Sequence, residues 1–177
     1  ARFWSQRITF SEEKQKYVML GVTGPNEYEN NIDNNWYTSR LACWCMKYTI
    51  ECIDIVKRNT PTAWSRIKTK VAFDEAKEPA LWKKIIDNMY YAYNQQLNIF
   101  LQQDGYMDKE QMFATDIPEK ELPLNQHQSW DRIQRSCFIK QADTLQGIYL
   151  FEDEFDTDTI ARHFDFYEPR TVHESSL

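Results

Sequence analysis

The sequence is poor in the features that mark several protein classes. Its longest apolar run is too short to cross a bilayer, and it shows no signal-peptide pattern. It contains only four glycines and no repeat, low-complexity tract or flexible linker. No cluster of Lys and Arg alternates with aromatic residues, and the net charge is −6. These absences argue against a membrane span and a nucleic-acid surface, and they favour a neutral or small anionic ligand.

The four cysteines do not have the spacing of a zinc site. Cys43, Cys45 and Cys52 fall in one predicted helix, whereas Cys137 lies far along the chain. We interpret them as reduced thiols in the core, which agrees with a cytosolic protein. A length of 177 residues fits one domain. Because the sequence lacks an initiator Met and stops within a Ser-Ser-Leu run, we expect residues 1–177 to be a single piece truncated at both ends.

Apolar periodicity predicts a mainly helical protein. The longest helix should begin at about Trp36, after the capping residues Asp33, Asn34 and Asn35, and should run to about Lys57. It is apolar on two faces, so we expect it to pack between neighbouring elements. Shorter helices are predicted at residues 64–70, 78–90, 129–135, 138–151 and 157–166.

Two short β segments and one long loop complete the predicted organisation. A continuous apolar run predicts a strand at 17–20, and alternation of apolar residues predicts one at 97–101. Residues 112–128 have little periodicity, which predicts an ordered loop of the kind that lines or covers a site. Gly147, inside a predicted helix, indicates close approach of a backbone or a ligand. His163 is expected to be a solvated residue on a helix.

Residues 21–40 contain the candidate catalytic group. Gly24-Pro25 is a strong turn signal, and the loop that follows presents Glu27 between a strand and the long helix. A carboxylate held between two fixed elements suits acid–base chemistry, although Glu27 would need a pKa raised by burial to act as an acid near neutral pH. Glu29 is the alternative acid, and its side chain should face the opposite way. In a purely structural interpretation, either carboxylate accepts hydrogen bonds from turn amides or from an Arg such as Arg40.

The motif Thr23-Gly24-Pro25-Asn26-Glu27-Tyr28 resembles the inverting disaccharide phosphorylases of glycoside hydrolase family 65. In that family the Glu of this motif is the general acid, which maps onto Glu27. Three later stretches, at 123–130, 140–147 and 171–177, resemble successive family segments in the same order. The resemblance therefore covers nearly the whole chain. It implies part of an (α/α)6 barrel, with minor β insertions, from an enzyme several times longer.

The resemblance also implies a reaction. Inverting cleavage of a glycosidic bond needs an acid for the leaving oxygen and a nucleophile on the opposite face of the sugar. A phosphorylase uses inorganic phosphate, so one carboxylic acid and one anion pocket are sufficient. The implied activity is reversible phosphorolysis of maltose to β-glucose 1-phosphate and glucose, with trehalose or kojibiose as alternative substrates. An inverting α-glycoside hydrolase and a non-catalytic α-helical interaction module are the more distant alternatives.

Family positions of the binding residues map onto two further segments. Lys140 and Gln141 correspond to the glucosyl subsite, and His173, Ser175 and Ser176 to the phosphate site, where hydroxyls and helix-start amides donate to an oxyanion. Without the resemblance, the first pair is typical of a surface helix and the second group of a capping segment. No metal or organic cofactor is implied. The expected partners are a disaccharide and inorganic phosphate, with no nucleic acid or membrane. The parent is expected to be cytoplasmic, a homodimeric state is left open, and the isolated piece should be inactive.

Overall fold

The computed structural model describes residues 1–173. The predicted phosphate ligands Ser175 and Ser176 lie outside the described residues. Within this range the chain forms eight α-helices and two antiparallel hairpins, which confirms the mainly α prediction. It divides into two compact units: Ala1–Met19 with Ser39–Tyr90, and Leu20–Thr38 with the chain from Tyr91 onwards. That the piece is single and truncated at both ends stays a prediction.

The first unit combines one hairpin with helices on either side of it in the sequence. Phe10 pairs with Tyr17 in the hairpin, and Tyr17 also exchanges backbone hydrogen bonds with Asn88 and Tyr90 at 2.9 and 2.8 Å. Val18 and Trp82 are buried, so the hairpin and the helix that precedes Asn88 contribute to the core of this unit. The elements are α1 (Arg2–Arg7), β1 (Thr9–Ser11), β2 (Lys16–Val18), α2 (Trp36–Asn59), α3 (Pro61–Lys70) and α4 (Glu78–Asp87).

Helix α2 begins at the predicted residue because Asn35 caps it. The Asn35 side-chain oxygen accepts from the Thr38 backbone N–H at 2.9 Å, which satisfies one of the free donors of the first turn. Further along, Met46 is fully buried, but Trp44 and Tyr48 are 47% and 51% exposed. Their rings are stacked, with centroids 5.2 Å apart. The prediction that both apolar faces are covered is therefore wrong for the described chain, since this face is open to solvent.

The second unit contains the remaining elements, and its helix starts follow the capping residues in the sequence. Ser129 accepts from Arg132 N–H at 3.3 Å, and Asp156 accepts from Thr159 N–H at 2.6 Å. Gly147 is closely approached as expected, but by the Trp36 ring and not by the predicted backbone or ligand. The elements are β3 (Tyr93–Asn94), β4 (Ile99–Phe100), α5 (Leu124–His127), α6 (Trp130–Arg135), α7 (Asp143–Leu150) and α8 (Thr157–Tyr167).

The predicted helix at 138–151 begins five residues later than expected, at Asp143. Phe138 and Ile139, which precede this helix, are extended, and Ile139 pairs in parallel with Thr171. Phe138 and Ile139 are both buried but belong to different apolar clusters, as expected for neighbours in an extended segment, whose side chains point to opposite sides. The helical periodicity of the apolar residues was misleading here because long-range pairing determines the local structure.

His163 is buried rather than solvated, with 1% of its surface exposed. Its Nε2 accepts from the Phe100 backbone N–H at 2.8 Å, and its Nδ1 lies 2.7 Å from the Thr159 carbonyl oxygen. The ring also stacks on Phe100. Strand β4 therefore covers the face of α8 that carries His163, and burial lowers the pKa of its imidazole.

Candidate active site

The loop that carries Glu27 is closed at its base by backbone pairing. Val22 and Ile32 exchange two hydrogen bonds of 2.8 and 2.9 Å, and Asp33 accepts from the Gly21 backbone N–H at 2.8 Å. Helix α2 starts directly after Asn35. These contacts fix both ends of the loop, as the turn and capping residues predict, and they lie entirely within the second unit.

Three of the predicted site residues meet in the structure. The Lys140 ammonium pairs with the Glu27 carboxylate, and the Glu27 backbone N–H donates to the Gln141 side-chain oxygen at 3.0 Å. The Lys140 backbone N–H donates to the Asn26 side-chain oxygen at 2.9 Å. Lys140 and Gln141 therefore lie at a bend before α7, against the Glu27 loop, and not on a surface helix.

The electrostatics of Glu27 differ from the sequence-based expectation. Its carboxylate is 55% exposed, and the hydrogen bond from Lys140, followed by that from Gln141, lowers its pKa. An adjacent cation favours the ionised form of a carboxyl group. The expected rise in pKa is therefore not found, because the neighbour of Glu27 is an ammonium and not an apolar surface.

Glu29, the alternative acid, is committed to a buried ion pair. Only 4% of Glu29 is exposed, and its carboxylate accepts from the Lys109 ammonium and the Gln103 amide. The Asn26 amide donates to its other oxygen at 3.3 Å. Glu29 and Lys109 line a cavity of about 400 Å³. The two carboxylates of the loop thus have separate partners, and Glu29 has a structural role.

His173 continues a segment that runs beside Lys140. The Val172 backbone N–H donates to the Ile139 carbonyl at 2.8 Å, and the pairing of Thr171 with Ile139 is parallel. Tyr28 and Val172, which adjoin Glu27 and His173, pack in the same buried cluster. The acid loop and the predicted phosphate segment therefore share one core, although they are far apart in the sequence.

The His173 side chain itself is exposed, and its Nε2 lies 3.8 Å from the Glu168 carboxylate. The two serines predicted to act with it are beyond residue 173. Residues 112–128 form 3₁₀ turns at Ala114–Asp116 and Glu119–Glu121 before α5. Met112 and Ile117 pack against the cluster that contains Tyr28. The predicted loop is therefore ordered, and it packs against the apolar cluster to which Tyr28 of the Glu27 loop belongs.

Two residues of this site were not identified from the sequence. Asn26 bonds to Lys140 and to Glu29, as described above, and Asp143 is a fully buried carboxyl group whose oxygen accepts from the Asn35 amide at 2.8 Å. Asp143 follows Lys140 and Gln141 closely, but an Asp at a helix start is usually a solvated residue, and no local pattern distinguishes this one. Within the described range, no three His, Cys, Asp or Glu side chains are placed to hold a metal ion.

The model of the glycosyl hydrolase family 65 central catalytic domain matches residues 1–177. The chain belongs to glycosyl hydrolase family 65. Among relatives of this family 65 chain, the maltose phosphorylase of Bacillus subtilis (strain 168) is 47% identical over 177 residues, which is 100% of this chain and 22% of that protein. The alpha,alpha-trehalose phosphorylase of Thermoanaerobacter brockii is 34% identical over 178 residues, covering 100% of this chain and 23% of that protein.

The fold agrees with the family 65 assignment. A solved structure described as a kojibiose phosphorylase from the human microbiome superposes with a TM-score of 0.85 at 32% identity, covering 99% of this chain and 24% of that chain. The mainly α architecture is thus consistent with part of an (α/α)6 barrel. The family 65 chain spans less than a quarter of the length of these relatives. None of its described helices is long and apolar enough to cross a membrane.

Proposed function

We propose that this chain carries the general acid of an inverting α-glucosyl phosphorylase, which converts maltose and inorganic phosphate into β-glucose 1-phosphate and glucose. The observation that carries the proposal is the convergence of Glu27, Lys140 and Gln141 beside the segment that leads to His173. The 47% identity to a maltose phosphorylase favours maltose. Trehalose and kojibiose are the second candidates, since proteins named as their phosphorylases are 34% and 32% identical.

In the proposed step, protonated Glu27 gives its proton to the glycosidic oxygen while a phosphate oxygen attacks C1 from the opposite face. The bond from C1 to the leaving glucose breaks, the bond from C1 to phosphate forms, and Glu27 is left as a carboxylate. Lys140 and Gln141 hold hydroxyls of the glucosyl unit. His173, with Ser175 and Ser176, holds the phosphate. Since the nucleophile is already an anion, the scheme uses no metal or organic cofactor.

Substrate binding supplies the protonation state that the free chain lacks. The hydrogen bond from Lys140 lowers the pKa of Glu27. A sugar that takes hydrogen bonds from Lys140 removes part of that stabilisation, and it also covers the half-exposed carboxyl group. Both changes raise the pKa of a carboxyl group. We further propose a cytoplasmic parent, because none of the four cysteines forms a disulfide, and an isolated chain without turnover.

The decisive experiment measures glucose release by the full-length parent from maltose, trehalose and kojibiose, with and without phosphate. Release should require phosphate and should be fastest with maltose. Glu27→Gln should lower kcat by about 10²–10⁴-fold, the usual contribution of general acid catalysis, with little change in thermal unfolding, since the amide preserves the shape of the side chain.

Glu29→Gln is the matched control, two residues away in the same loop. It breaks a buried ion pair, so it should lower the stability by roughly 3–5 kcal/mol and reduce kcat less than Glu27→Gln. Near-normal turnover by Glu27→Gln together with an inactive but folded Glu29→Gln would show that the acid is wrongly assigned. Equal release with and without phosphate would identify a hydrolase.

A further inference from the structure

A buried carboxyl group lies directly beneath the Glu27 loop. Asp143 is the first residue of α7 and is fully buried. One carboxyl oxygen accepts from the Asn35 amide at 2.8 Å, and the Asp143 backbone N–H donates to the Gln102 side-chain oxygen at 3.1 Å. The backbone N–H of Asn26 also stabilises the charged form of this carboxyl group. Asn26 immediately precedes Glu27, so Asp143 interacts with the backbone of the acid loop itself.

Gly24 shows how closely the loop packs on this carboxyl group. A Cβ at position 24 would overlap the Asp143 carboxyl oxygen, and it would lie 2.8 and 2.9 Å from the side-chain atoms of Asn35. Any side chain larger than hydrogen would therefore push the loop away from α7. The glycine of the motif is needed here because of the space occupied by Asp143 and Asn35.

The Asp143 carboxyl group joins the start of α2 to the segment that carries Gln141. Asn35 caps α2 with its oxygen and donates to Asp143 with its nitrogen, while Asp143 is two residues after Gln141, which accepts from the Glu27 backbone. Burial, the main cause, raises the pKa of Asp143 to about 7, and the charge of Glu29 adds to the rise. Burying a carboxyl group costs free energy unless hydrogen bonds compensate for the lost water. Asp143 therefore depends on the contacts that it makes with Asn35 and with the loop.

We propose that Asp143 is a positioning residue for the general acid: by bridging the Asn35 amide and the Gly24–Asn26 turn, it sets where the Glu27 carboxyl group meets the leaving oxygen. The inference rests on the proposed function, since it assumes that Glu27 is the acid. It predicts that Asp143 affects proton donation more than it affects binding of the glucosyl unit or phosphate.

The test compares two substrates of the full-length parent that differ in their need for an acid. Maltose releases a sugar alkoxide that must be protonated, whereas α-glucosyl fluoride releases fluoride, which leaves without a proton. Asp143→Ala should lower kcat on maltose by about 10²-fold, the scale expected for a misplaced catalytic group. Its phosphate-dependent turnover of α-glucosyl fluoride should fall by less than about threefold. Asp143→Asn should recover most of the maltose activity, because its amide oxygen can still accept from Asn35.

Asp156→Ala is the control, because Asp156 also stands at a helix start in this unit but contacts the N–H of Thr159 and not the loop. It should lower the stability by about 1 kcal/mol, as expected for a lost cap, and it should affect both substrates equally. If Asp143→Ala reduces turnover of both substrates equally, Asp143 is merely structural and the proposal is wrong.

Gly24→Ala provides a second test, and it remains informative if Asp143→Ala does not fold. Like Asp143→Ala, it should lower the turnover of maltose much more than the turnover of α-glucosyl fluoride. In the double variant, removal of the carboxyl group relieves the closest of the three overlaps, while the two with Asn35 remain. We therefore expect maltose activity about tenfold higher than the product of the two single effects, within the range measured for contacting residues. If the maltose activity of the double variant equals the product of the two single effects, the proposal is contradicted.

The outcomes separate this inference from the proposed function. If Glu27→Gln itself reduces turnover of maltose and α-glucosyl fluoride equally, Glu27 is not the acid and the proposed function fails. If Glu27→Gln shows the expected discrimination but neither Asp143→Ala nor Gly24→Ala does, only the positioning role of Asp143 is wrong.

Discussion

At the scale of single residues, the pairing of Lys140 with Glu27 links substrate recognition to the charge of the acid. The ammonium that is proposed to hold a sugar hydroxyl is the group that lowers the pKa of Glu27 in the free chain. A ligand that takes the Lys140 hydrogen bond away from Glu27 should therefore raise the pKa of Glu27 at the same time.

Lys140→Met in the full-length parent should both weaken the enzyme and shift its pH profile. The lost hydrogen bonds should cost roughly 1–3 kcal/mol of transition-state binding. Because Lys140 lowers the pKa of Glu27, its removal raises that pKa, so the alkaline limb of kcat/KM should move to higher pH. Arg132→Met is the control, since Arg132 pairs with the exposed Glu110, and it should leave the limb in place. A limb that stays unchanged in Lys140→Met would contradict this interpretation.

The sequence identified Glu27, Lys140 and Gln141 through the family resemblance, and periodicity alone did not. Periodicity favoured a surface helix for Lys140, because it does not detect the pairing of Ile139 with a residue more than thirty positions away. The direction of the Glu27 pKa shift could not be predicted either. That shift depends on one ammonium group brought in from the distant segment, and such a contact exists only in the folded chain.

At the scale of secondary-structure elements, α8 is held to β4 by a histidine rather than by apolar residues alone. His163 accepts from the Phe100 backbone, and the Tyr167 hydroxyl donates to the Phe100 carbonyl at 2.7 Å. Both polar groups of Phe100 are thus bonded to one helix. The acceptor on His163 must be an unprotonated ring nitrogen, so this contact depends on the neutral imidazole.

Acidification should therefore weaken the α8–β4 contact. Burial lowers the pKa of His163 in the fold, whereas in the unfolded chain it is near 6.5. Below that value the unfolded chain binds a proton that the folded chain does not, so the free energy of unfolding falls as pH drops from about 7 to 5. In the full-length parent, His163→Gln should make thermal unfolding less dependent on pH in this window. His127→Gln, at an exposed position, should leave the dependence unchanged, and an equal effect of both variants would refute the assignment.

Element boundaries were predictable where a capping side chain defines them. Asn35, Ser129 and Asp156 each accept a backbone N–H of the helix they precede, and the sequence identifies all three. The start of α7 was not predictable in this way, because its N-cap Ala142 has no side-chain acceptor. Where a distant residue supplies the cap, the first residue of the helix cannot be predicted from the local sequence.

At the scale of the whole molecule, the open face of α2 is the surface on which we expect residues of a longer parent to pack. Trp44 and Tyr48 are about half exposed and stacked on one another. Such aromatic groups contribute most of their stabilisation when they are fully buried. The relatives are more than four times as long as this chain, which leaves ample sequence to cover this face in the parent.

The double variant Trp44→Ser with Tyr48→Ser should have opposite effects in two contexts. In the isolated chain it should reduce self-association, measured by sedimentation, because it removes an exposed apolar patch. In the full-length parent it should lower Tm by several degrees, because a loss of about 2 kcal/mol or more is expected for truncated buried aromatics. Lys47→Ser, at an exposed charged position on the same helix, should change neither. An unaltered Tm in the parent would show that the face is not covered there.

The parallel pairing of Ile139 with Thr171 has a consequence for motion. Backbone hydrogen bonds of 3.1 and 2.8 Å join Ile139 to Arg170 and Val172, and their length varies little as helices shift. The segment that contacts Glu27 and the segment that continues to His173 should therefore be displaced together, as one body. Helices α7 and α8 lie between these two segments in the sequence. Small movements of the helices would leave the distance between the proposed proton donor and the proposed nucleophile nearly constant. In the proposed reaction, substrate entry and product departure would then not disturb the alignment of the proton donor with the nucleophile.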